Sequence, residues 1–227
     1  MKTKVFLLVV FLVAGSNLLF SQYSNRRLSF GFTAQPAICW IHADESTLTT
    51  GPVRLGFDGG FRIDYKFEKF YALSIGASFN QTGGTLVYKN ALYLDLIHGL
   101  DTLQPGTKVT YRLQYVDIPL SIKFLLPEIG YATWFAEIGL NPMFNTKALI
   151  NATDNNIENE PFQQGIGKFN LAWHAGIGTN YSLGGRVSLQ FALVYKNTFL
   201  DVTRENNIRK ADNSRINQVG LRIGLVI

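Results

Sequence analysis

The sequence predicts an all-β protein: an eight-stranded antiparallel transmembrane β-barrel that follows a cleaved signal peptide and sits in the cell outer membrane. Three observations predict it. Lys2 and Lys4 open the chain, an apolar run covers residues 5–20, and Ser21-Gln22 follows. A basic start, a short apolar stretch and a small residue before the cut make residues 1–21 a signal peptide and residues 22–227 the barrel domain. After that run, no stretch is apolar for the roughly 20 residues that a membrane helix needs. The chain instead alternates apolar and polar residues in strip after strip, and the connections between the strips run alternately long and short.

The first strand is predicted over residues 28–41, with Leu28, Phe30 and Phe32 on one face. The second, 54–67, is the clearest: Leu55, Phe57, Phe61, Ile63, Tyr65 and Phe67 alternate with Arg54, Asp58, Arg62, Asp64 and Lys66. Successive side chains of a strand point to opposite faces, so this strip has an apolar face and a charged one. Glu68-Lys69 reads as a tight turn, and residues 70–79 as the third strand. A polar stretch, 81–106, leads to a fourth strand over 109–124. The fifth starts near Tyr131 and sets Trp134, Ala136, Ile138 and Leu140 against Phe135, Glu137, Gly139 and Asn141. A second polar stretch, 145–167, precedes the sixth strand, 169–181. Ser182-Leu183-Gly184-Gly185 reads as a hairpin turn. The seventh strand, 186–199, and the last, 216–227, flank a charged stretch over 201–215.

Outer-membrane barrels have short periplasmic turns and longer outer loops, with both chain ends periplasmic when the strand number is even. Every connection fits that rule. On this topology Tyr65, Phe67, Tyr71, Phe124, Trp134 and Tyr181 fall near the periplasmic rim. Trp40, Phe79, Tyr111, Phe144, Phe169 and Tyr195 fall towards the outer half, as expected of two aromatic girdles.

Alternation alone does not say which face points inward, since a soluble lipocalin-like barrel has the same period. The polar faces are rich in Gly, Ala, Ser and Asn, which suits a crowded lumen. The mid-strand charges Arg54, Asp58, Arg62, Asp64, Lys66, Asp117, Lys123, Glu137, Arg186, Lys196 and Arg222 carry both signs, as partners in a packed interior would. A lipid-facing Arg or Lys costs about 2–4 kcal/mol at the midplane, so these residues are expected to face a lumen too narrow for a pore.

Tyr115-Val116-Asp117-Ile118-Pro119-Leu120-Ser121-Ile122-Lys123 resembles a strand typical of the PorT-like outer-membrane barrels of Bacteroidota, and the turn Glu128-Ile129-Gly130-Tyr131 resembles that group as well. The resemblance implies a small integral barrel whose namesake branch serves type IX protein secretion and, in gliding species, motility. It carries over no catalytic residue. Its Pro119 removes one ladder donor, and the apolar phase shifts near Tyr115-Val116, as a β-bulge there would cause.

Constellations for chemistry are sparse. The formal net charge is +5, two of these charges leave with the signal, and the rest are dispersed, so no nucleic-acid footprint is expected. Cys39 stands alone, excludes an internal disulfide, and reads as a small apolar strand residue. No Cys/His cluster suits zinc, and Gly165-Ile166-Gly167 and Gly176-Ile177-Gly178 suit thin strand faces rather than a phosphate cradle. Asp154, Asn155, Asn156, Glu158 and Glu160 lack EF-hand spacing and read as a solvated loop. His42 and His98 are placed in outer loops. His174 is placed on a polar face where Glu137 could orient it across the adjacent strand, but no nucleophile stands at a recognisable spacing. No catalytic, cofactor-binding or metal-binding residue is therefore assigned. The expected partners are outer-membrane lipid, the barrel assembly machinery and secretion-machine proteins. The alternatives are a small-barrel lipid or peptide hydrolase using His174 or His42, and a surface barrel whose loops bind a ligand.

Overall fold

Alternating strips bury one face by packing against another layer or by closing on themselves, and here they close. The computed structural model describes residues 27–44, 47–89, 92–96, 99–152, 157–204 and 214–227. The proposed signal peptide lies outside these residues. The strands among them are β1 (Leu28–Ala43), β2 (Leu48–Thr50), β3 (Arg54–Glu68), β4 (Tyr71–Tyr88), β5 (Leu92–Leu96), β6 (Gly99–Leu103), β7 (Lys108–Asp117), β8 (Leu120–Leu125), β9 (Ala132–Ala152), β10 (Ile157–Pro161), β11 (Phe169–Ser182), β12 (Ser188–Thr198) and β13 (Ser214–Val226).

The wall is an antiparallel ring of 8 strands: β1, β3, β4, the broken strand β7–β8, β9, β11, β12 and β13. The ring closes where β13 pairs with β1, from Gly31 opposite Val226 to Ala43 opposite Ser214. Short turns join β3 to β4, β8 to β9 and β11 to β12. The last of these is closed by the Leu183 amide donating to the Val187 carbonyl at 2.9 Å, with Gly184 and Gly185 at φ +98° and +63°, a backbone that favours glycine. The long connections lie at the other end, which the loop-length rule makes the outer one.

Three expectations about the elements need correction. The polar stretches 81–106 and 145–167 are not plain loops: β4 continues to Tyr88, β9 continues to Ala152, and the hairpins β5–β6 and β9–β10 fill the rest. The β9 extension turns Ala148, Ile150 and Ala152 inward and Lys147 and Asn151 outward, and the β4 extension turns Leu86 and Tyr88 inward, the reverse of the pattern used to find the strands. The fourth predicted strand is interrupted at Ile118-Pro119, where the proline carbonyl still accepts the Gly76 amide at 3.0 Å. No bulge sits in that strand at Tyr115-Val116: its odd residues stay buried from Val109 to Leu125. The register slip is in the partner, where Gln114 faces Lys147 and Tyr115 faces Asn145, so Thr146 is the extra residue and the inward parity of β9 changes there.

The outer face below that level is a continuous apolar belt, with Phe32, Phe61, Ile122, Ile138, Ile177 and Leu221 all about half exposed or more. Each of them alternates with at least one buried, inward-facing neighbour. The predicted lower girdle is all exposed, and Tyr71 packs edge-on to Phe124 with centroids 5.7 Å apart. In the upper girdle Phe144 and Phe169 lie 5.4 Å apart. Tyr111 does not belong to that girdle. It is fully buried inside the barrel, and its hydroxyl hydrogen-bonds that of Tyr88 at 2.7 Å.

Candidate functional site

The inward face has two layers of opposite chemistry. In the layer level with the apolar belt, even-numbered residues of β3, β11, β12 and β13 and odd-numbered residues of β8 and lower β9 converge on a network of ions. Glu137 Oε1 accepts from Arg222 Nη1 at 2.6 Å and from Arg62 Nη1 at 3.2 Å. Arg62 also donates to Ser74 Oγ at 3.1 Å and Ser121 Oγ at 2.8 Å, and Arg222 to Gln35 Oε1 at 3.2 Å. Lys196 bridges Asp58 at 3.0 Å and Asp117 at 2.8 Å, and the latter also accepts from Asn80 Nδ2 at 3.1 Å. Lys123 donates to Asp64 at 2.6 Å, with its ammonium 5.2 Å from the Phe135 ring centre.

Arg62, Arg222, Lys123 and Lys196 are thus matched one for one in charge by Glu137, Asp58, Asp117 and Asp64. A buried charge is tolerated when paired and hydrogen-bonded, and strands only a few side chains apart supply the partners. The expected inward placement of these residues holds. Lys66, Arg54 and Arg186 differ: Lys66 is exposed at the lower rim, Arg54 is the first residue of β3, and Arg186 lies in the turn before β12. All three lie at a strand end or in a turn, outside the packed ion layer, and Arg54 is half-buried and donates to the Tyr111 carbonyl at 3.4 Å.

The upper layer is apolar. Ile41, Leu86, Val109, Tyr111, Leu113, Tyr115, Met143 and Ile150 form its core, and Phe162, Ile166 and Val202 close it from above. Main-chain bonds hold this lid in place: the Gly167 amide donates to the Val202 carbonyl at 3.0 Å and the Arg204 amide to the Gly165 carbonyl at 2.8 Å. Sequence reasoning missed this layer. The signal is present in Val109, Tyr111, Leu113 and Tyr115, apolar at every second position, of which Tyr111 was expected in the outer aromatic girdle.

Between the layers a cavity of about 20 Å³ touches Gln35, Asp58, Arg62, His174 and Lys196, room for about one water. A wider vestibule of about 220 Å³ opens at the short-turn end and stops at the Asp64–Lys123 pair. Cys39 is completely buried on the inward face. A maleimide is therefore expected to label Cys39 in the urea-unfolded chain and to leave it unlabelled in the folded barrel, read by mass; rapid labelling of the folded form would mean the lumen is open.

The histidines separate clearly. His174 lies where expected, with Nε2 3.7 Å from Glu137 Oε1 and Nδ1 hydrogen-bonded to Asn141 Oδ1. Gly139 makes room for its ring, since a Cβ there would come within 2.7 Å of His174 Cε1. At 1% exposure it is a buried lumen residue. His42 is not in a loop but is the second-to-last residue of β1, exposed, with Nε2 3.5 Å from Asp44 Oδ1. His98 and the loop acids Asp154, Asn155 and Asn156 lie outside the described residues, while Glu158 and Glu160 lie in β10. No group of three or more potential ligands for a metal ion occurs among the described residues.

The chain is similar to several solved barrels at low identity. Neisserial surface protein A is 11% identical with a TM-score of 0.46, over 87% of this chain and 96% of its own. Ail of Yersinia pestis, crystallised with the heparin analogue sucrose octasulfate, is 10% identical with a TM-score of 0.42, over 89% and 100%. OprG of Pseudomonas aeruginosa is 11% identical with a TM-score of 0.43, over 88% and 94%. No curated protein sequence matches the chain. The profile of the family described as outer membrane protein beta-barrel domain matches residues 17–196. A closed ring of strands, an apolar outer belt and ions confined to the lumen are what that family requires of a chain in lipid, and this chain belongs to the outer-membrane β-barrel domain family and resides in the outer membrane.

Proposed function

We propose that this barrel is a non-enzymatic accessory component of a type IX secretion or gliding machine, exported by a signal peptide over residues 1–21 and acting through its surfaces. The observation that carries the reading is the closed lumen: a charge-balanced ion layer under an apolar layer leaves neither a pore nor a reachable catalytic group. The PorT-like strand 115–123 supports the assignment to that machinery. Reconstituted in planar bilayers, the protein is expected to show no steady conductance. A deletion strain is expected to lose secretion of substrates to the surface. Normal secretion and motility in that strain would remove the role and leave the barrel standing.

One observation favours a second reading, a rim hydrolase. Asp44 stands within reach of His42, and a groove beside it is lined by Asp44, Asp201 and Arg215. His42→Ala in an inserted barrel decides between the two. Under the accessory reading the phenotype is unchanged, whereas loss of function with normal insertion would promote the hydrolase.

A further inference from the structure

The wall changes character just above the upper girdle. Val116 and Phe144 face each other across β7 and β9 and are both lipid-exposed; one rung higher Gln114 faces Lys147, and beyond it Arg112 faces Leu149. At about 3.4 Å per residue and a tilt near 40°, Lys147 and Arg112 stand roughly 5 and 10 Å above the edge of the apolar belt. That is the depth of the lipid headgroups. The two cations are diagonal neighbours on the outward face, about 7–8 Å apart at their Cα atoms.

Arg112 donates to the neutral Asn159 Oδ1 at 2.5 Å, and neither it nor Lys147 has a carboxylate partner among the described residues. Glu158 is exposed next to Asn159 and pairs with neither of them. Arg54 adds positive charge nearby, donating to the Tyr111 carbonyl at 3.4 Å. Around the pair stand amides and hydroxyls already ordered by one another: Asn145 and Thr146 donate to the Gln114 carbonyl at 3.3 and 3.2 Å, and Gln163 donates to Asn145 at 3.2 Å. The bulge at Thr146 turns two consecutive exposed side chains, Thr146 and Lys147, out of the sheet at this level.

We infer that this face of β7 and β9 binds the phosphate of a phosphorylated saccharide headgroup carried by an outer-leaflet lipid. Arg112 and Lys147 supply the charge, and the ring of amides and hydroxyls meets the sugar. A phosphate accepts well from a guanidinium and from an ammonium, and a lipid source suits the position, because the acyl chains then lie against Val116, Phe144 and Phe169.

The full barrel, folded in an uncharged detergent, is titrated with micelle-borne lipid A, with the same lipid stripped of its phosphates, and with inorganic phosphate. Wild type is expected to prefer the phosphorylated lipid on the order of 10-fold, and the double variant R112Q/K147Q to lose the preference while keeping its heat-modifiable mobility. R112K/K147R is expected to retain it. Equal binding of the two lipid forms by wild type, or an undiminished preference in R112Q/K147Q, would overturn the inference. Inorganic phosphate binding as tightly as the lipid would overturn the lipid source.

Discussion

Replacing Glu137 by Leu is expected to cost the barrel about 3–5 kcal/mol, the typical loss when one partner is removed from a buried ion cluster. Arg222 and Arg62 would lose the one carboxylate both of them bond, at 2.6 and 3.2 Å. Both guanidinium groups are almost fully buried, with the apolar layer above and the Asp64–Lys123 pair between them and the vestibule. Folding into lipid vesicles against urea measures the loss. The variant with Arg62 and Arg222 also replaced by Met should recover most of it, because it leaves no charge unpaired. A single change that costs under about 1 kcal/mol would mean that solvent reaches this layer and that the barrel is not sealed.

Arginine at Ile138 and arginine at Leu149 are expected to differ sharply, although both positions point outward from β9. Ile138 is 54% exposed within the apolar belt, so Ile138→Arg places a cation in lipid and costs about 2–4 kcal/mol. Leu149 lies above the bulge, opposite Arg112, where the wall faces headgroups and water. Leu149→Arg is expected to change stability by less than about 0.5 kcal/mol, as for an ordinary surface change. Insertion yield and urea midpoint for the two variants locate the membrane boundary on this strand. Equal penalties would move it above residue 149, and equal tolerance would make the barrel a soluble one.

Much of the barrel was legible because its determinants are local. Arg62 and Asp64 share a parity with Asp58, and Phe61 and Ile63 share the other, so the register of β3 follows from its own residues. The rhythm of the connections and the lower girdle could be read in the same way. His174 and Glu137 could be placed on neighbouring strands, since consecutive strands of an up-and-down barrel pair with one another whatever the length of the connection between them. The binding face at Arg112 and Lys147 could not, because it depends on a bulge in β9 that no residue near Thr146 announces.

By itself the sequence determined that the chain is a ring of alternating strands, which of its side chains share a face, and which charges had to be kept from lipid. Those follow from a side-chain period of two and from the cost of ions in hydrocarbon. Only the tertiary structure decided what each face meets along its length. On β7–β8 the odd residues point inward throughout, yet they are apolar from Val109 to Tyr115 and mostly polar from Asp117 to Lys123. Alternation records a contrast between two faces and carries no sign. The sign is set by the surroundings: lipid outside with ions inside at one level, water outside with an apolar core inside at the next, and only the closed barrel with its lid fixes where one gives way to the other.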